Sequence, residues 1–95
     1  MRDKIPEIIL KKEGTIPITH IASSHEYLQK LKEKMKEEVR GYMDTEHETH
    51  LIDLLELLEA LGKTRGRTWK ELLRLKEKKA KERGRFERKI ILDES

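Results

Sequence analysis

An all-α fold is predicted for this 95-residue chain. Three observations predict it. Apolar residues recur at helical spacing over two long stretches, and a Ser/Thr followed three residues later by Glu occurs at three places. Residues 15–22 read as extended or irregular, too short a segment to change the class. The length makes one domain, residues 1–95. A domain this small buries only about 60–65% of its unfolded surface.

The elements follow in order. Pro6 opens a short helix, with Ile8, Ile9 and Leu10 as its apolar contacts and Gly14 as its stop after Lys11 and Lys12. Residues 15–22, TIPITHIA, read as extended or irregular, because Pro17 opposes a long helix. Three longer helices come next. Ser23 with Glu26, Thr45 with Glu48, and Thr68 with Glu71 each match a capping box at a helix start.

The first of these helices should run about 24–43. Leu28, Leu31, Met35, Val39 and Tyr42 form its apolar stripe. At about 100° per residue from Leu28, Glu38 falls about 80° away, at the stripe's edge, and Glu37 about 180° away, toward solvent. The second should run about 46–61 and stop at Gly62. Leu51, Ile52, Leu54, Leu55, Leu57, Leu58 and Leu61 wrap most of it and leave a narrow strip with Asp53, Glu56 and Glu59. That coverage predicts a central helix with more than one neighbour. Acids so close to apolar surroundings need a metal or basic side chains to compensate them.

Residues 62–67, GKTRGR, form a basic loop. The third helix should run about 69–83, with Trp69, Leu72, Leu73, Lys76 and Ala80 on its packed side and Gly84 at its end. The tail RFERKIILDES then offers Ile90, Ile91 and Leu92 to an apolar edge or to a second subunit.

Charge is segregated along the chain. Residues 1–62 carry 9 basic and 13 acidic residues, whereas residues 63–89 carry 13 basic and 4 acidic. The basic segment suits a phosphorylated ligand, a nucleic acid, or the acidic part of the same fold. With one Trp, two Tyr and one Phe, a base-stacking platform for nucleic acid is not expected. There is no cysteine, no basic-then-apolar leader and no apolar run of membrane length. A cytoplasmic protein with no membrane partner is the expectation. So small a chain with so apolar a helix is expected to pair as a homodimer, or twice over as a tetramer.

RDKIPEII at 2–9, the glutamate pair at 37–38, DLLE at 53–56 and KKAKERGRFERKIIL at 78–92 occur in that order. Together they resemble the all-α nucleoside triphosphate pyrophosphohydrolases, the MazG-like superfamily, and in particular its small phosphoribosyl-ATP pyrophosphohydrolase-like members. The resemblance implies a MazG-like helical protomer whose dimer shares a four-helix-bundle core. It also implies Mg²⁺-dependent cleavage of a nucleoside triphosphate between its α and β phosphates, yielding a nucleoside monophosphate and pyrophosphate. Removal of noncanonical nucleotides is one role found among such proteins.

Carried over by position, the resemblance makes Glu38, His50 and Asp53 the metal ligands, with Mg²⁺ or Mn²⁺ as the ion. Glu37 or Glu56 would orient or deprotonate the attacking water. Arg2, Lys4, Lys79, Arg83, Arg85 and Arg88 would hold the phosphates, arginine's planar fork suiting them well. The pattern has carboxylates at 38, 41, 50 and 53, and here Gly41 and His50 interrupt it. Glycine offers no ligand and weakens a helix interior by about 1 kcal/mol relative to alanine. Imidazole suits Mn²⁺, Zn²⁺ or Ni²⁺ better than Mg²⁺. The rival expectation is therefore an inactive relative that binds a nucleotide or serves as a structural helical dimer.

Overall fold

The computed structural model describes residues 2–95 and is built of four helices. They are α1 (Ile5–Glu13), α2 (Ser24–Thr45), α3 (Glu48–Thr64) and α4 (Trp69–Arg83). No described helix is long and apolar enough to cross a membrane.

Local chemistry accounts for most of the boundaries. Pro6 lies in the first turn of α1, where its missing N–H costs nothing. Gly14 ends that helix at φ 69°, its N–H reaching Leu10 O at 3.0 Å. Ser23 Oγ accepts the N–H of Glu26 at 3.2 Å and starts α2. The Glu26 carboxylate turns instead to His20 and pins the irregular segment to the helix start. At α4 the full box forms: Thr68 Oγ1 accepts from Glu71 N at 3.1 Å and the Glu71 carboxylate accepts from Thr68 N at 3.4 Å.

Two boundaries depart from the sequence reading. Thr45 does not cap α3; it is the last residue of α2, and its hydroxyl donates to Gly41 O at 2.9 Å. The chain reverses at Glu46, which has φ 56°, and His47 becomes the cap, its Nδ1 accepting from Thr49 N at 3.1 Å. Gly62 does not stop α3 either. It is buried inside the helix, and a Cβ there would lie 2.5 Å from Leu72 Cδ1, so its small size leaves room for the Leu72 side chain of α4.

The two-residue connection folds α2 and α3 into an antiparallel hairpin, which is the main tertiary contact, and α4 packs on the far end of α3. The core is thin. Leu57 is the one buried apolar side chain among the described residues, and Leu28, Leu31, Met35, Leu54 and Leu61 of the same hairpin are half-buried. The expectation that α3 is surrounded is not met within one chain. Leu51, Ile52, Leu55 and Leu58 stay 42–54% exposed. The tail leaves Phe86, Ile90, Ile91 and Leu92 in solvent, and on α4 Leu73 and Lys76 are exposed as well.

The chain is open for its size. Its accessible surface is 9249 Å², whereas a folded monomer of this mass exposes about 5,700 Å². Its radius of gyration is 17.6 Å, against about 12 Å for a compact domain of this length.

Candidate functional site

The hairpin brings together what the sequence separates. Glu38 is on α2, two turns before its end; His50 is in the first turn of α3. Antiparallel folding sets them side by side, with His50 Nδ1 2.8 Å from Glu38 Oε2. A carboxylate only accepts, so Nδ1 carries the proton of this bond. Lys34, one turn earlier on α2, reaches the other carboxylate oxygen at 3.2 Å.

Glu38 is 6% exposed, the one buried charged residue among those described. Both of its oxygens are occupied, and no described buried side-chain polar atom lacks a partner. The hydrogen bond from His50 holds its carboxyl below the usual range, against the opposing effect of burial, and Lys34 acts in the same direction. The same contact raises Lys34, chiefly through the hydrogen bond to Glu38. Burial of an acid at this depth is tolerable because one oxygen accepts a hydrogen bond from His50 and the other meets the Lys34 ammonium.

Asp53 lies one turn along α3 from His50 and is half-buried. Arg2, from the RDKIP segment, closes on it. This is the basic compensation the apolar surroundings of α3 demanded. Position 41 contributes no ligand, and the space above Gly41 holds the His50 ring.

The remaining candidates lie elsewhere. Glu37 projects to solvent with 67% of its side chain exposed, 3.6 Å from Lys34. Glu56 is exposed on α3, and Lys4 is exposed ahead of α1. Lys79, Arg83, Arg85 and Arg88 gather at the end of α4 and in the tail, away from the hairpin. Arg83, Arg85, Phe86 and Arg88 line an open recess of about 530 Å³ there. Gly84, at φ 83°, turns the chain so that Arg85 runs back along α4 and grips Glu77 with both nitrogens, at 3.2 and 2.6 Å. This fork, with Lys76 beside it, lowers the Glu77 carboxyl to about 2. Arg85 is thereby committed to a partner within its own chain.

Lys34 was absent from the candidates read in sequence. Its signal was present: a lysine four residues before a glutamate in a helix.

The donor set fits a divalent metal poorly. Of the four positions the resemblance assigns to ligands, only 38 and 53 keep a carboxylate. Glu38 is already held by His50 and Lys34, and Asp53 by Arg2. Among the described residues no group of three or more His, Cys, Asp or Glu side chains is arranged to hold a metal ion. Compared with known protein families, curated proteins and solved structures, the chain matches none.

Proposed function

We propose that this chain is a self-associating helical module that binds nucleotides through its basic segment, its acidic site held by its own cations and no longer serving metal-dependent hydrolysis. The observation that carries this reading is the Lys34–Glu38–His50 cluster, which engages both oxygens of the buried carboxylate. Magnesium would have to displace a hydrogen-bonded imidazole and an ammonium from Glu38, then strip Arg2 from Asp53. It would find no oxygen ligand from positions 41 or 50.

Anion binding then falls to the end of α4 and the tail. Lys79, Arg83 and Arg88 carry no ion-pair partner among the described residues, and Phe86 is fully exposed beside them. Two arginines and an aromatic face suit a nucleoside triphosphate. Pairing into a homodimer, with α2 and α3 of two copies forming a four-helix bundle, would cover the leucine face of α3. A cytoplasmic location belongs to the same proposal.

A second reading has one observation in its favour. The RDKIP segment delivers Arg2 to Asp53, where a Mg²⁺- or Mn²⁺-dependent pyrophosphohydrolase would need a phosphate-binding cation beside an acidic residue. The two readings part in one experiment: a panel of nucleoside triphosphates with Mg²⁺ or Mn²⁺, scored for pyrophosphate and nucleoside monophosphate, with calorimetric metal titration alongside. The expected result is nucleotide binding without divalent metal and no pyrophosphate from the wild-type chain, while G41E/H50E gains Mg²⁺ affinity. Pyrophosphate release by the wild type that is abolished in E38Q would overturn the proposal and establish the second reading.

A further inference from the structure

Gly41 and Gly62 stand apart from the other three glycines. Gly14, Gly66 and Gly84 all adopt positive φ, a conformation that favours glycine. Gly41 does not, so its backbone is one that any helical residue adopts. Its position inside a helix lowers the folding equilibrium constant about fivefold relative to alanine. Space is the reason that remains.

The space is that of one imidazole. A Cβ at position 41 would stand 2.5 Å from His50 Cε1 and 2.8 Å from both Nδ1 and Nε2. Three ring atoms at nearly equal distances mean that the ring lies against the Gly41 backbone. It cannot simply swing aside, because Nδ1 is fixed to Glu38 and Glu38 is buried with its other oxygen on Lys34. Moving the ring therefore strips a hydrogen bond from a buried carboxylate.

We infer that Gly41 and His50 are one coupled feature: the imidazole fills the volume above position 41, serves as the internal ligand of Glu38, and clamps α2 to α3. A side chain at 41 and a seated His50 exclude each other. The two departures from the acidic pattern are then a single structural change, and this holds whether or not the chain binds a nucleotide.

A double-mutant cycle on the full chain tests it. Wild type, G41A, H50A and G41A/H50A are unfolded in urea at one fixed protein concentration, and the His50 ring resonances are followed by NMR. In the H50A background, G41A should raise the folding equilibrium constant about fivefold, as helix propensity dictates. With His50 present, G41A should lower it and displace the ring resonances. If G41A proves too unstable to fold, a folded G41A/H50A gives the same answer. A G41A substitution that stabilises equally in both backgrounds, or a double variant no more stable than G41A, would overturn the inference.

Discussion

Replacing Leu55 with aspartate should separate the proposed dimer into monomers that still fold. Leu55 is 53% exposed and lies amid Leu51, Ile52 and Leu58 on the uncovered face of α3. Full burial of a leucine is worth about 1.5–3 kcal/mol, so the half still exposed offers about 1 kcal/mol to association. A twofold dimer contains the residue twice, which makes about 2 kcal/mol, or about 30-fold in Kd, from lost apolar burial alone. The carboxylate adds a desolvation cost in the same direction. Light scattering over the micromolar range should show twice the 11.3 kDa chain mass for wild type and the chain mass for L55D. Helical circular dichroism should be retained by the variant. A wild-type mass of one chain at every concentration would refute the reasoning, as would a dimer of unchanged affinity in L55D.

Two further outcomes are expected. Thr68→Ala should cost about 1 kcal/mol in urea unfolding by removing the complete capping box of α4, and a loss below about 0.3 kcal/mol would show that α4 does not depend on it. The Glu77 carboxyl should titrate near pH 2 by NMR and rise toward the ordinary carboxylate range in R85A, with Lys76 still holding it down. Because this group is lowered on folding, its favourable contribution is complete above its ordinary value and is lost as the pH falls toward about 2. An unaltered Glu77 titration in R85A would remove the Arg85 clasp from the account of the tail.

The sequence by itself determined the helices, because caps and periodicity are local. Pro6 and Gly14 bound α1, Ser23 starts α2, and Thr68 with Glu71 starts α4, each through bonds spanning a few residues. It also placed Glu37 in solvent and required compensation for Asp53, but Glu38, read at the edge of the apolar stripe, is the most buried residue of α2, while Val39 of that stripe is exposed. What it misassigned was the turn between α2 and α3. Thr45 donates to the Gly41 carbonyl behind it and accepts the N–H of His47 rather than that of Glu48, and His47 caps by ring nitrogen, outside the usual hydroxyl or carboxylate signature. Only tertiary structure decided the site. Arg2 and Asp53 are 51 positions apart, and no local pattern records their meeting. Glu38 faces His50 because the hairpin folds antiparallel, and the value of Gly41 is visible only once the imidazole lies on it. Periodicity fixes which side of a helix a residue occupies. Which side chain fills the space opposite is set by packing: here His50 and Lys34 occupy the Glu38 carboxylate, and Arg2 pairs with Asp53.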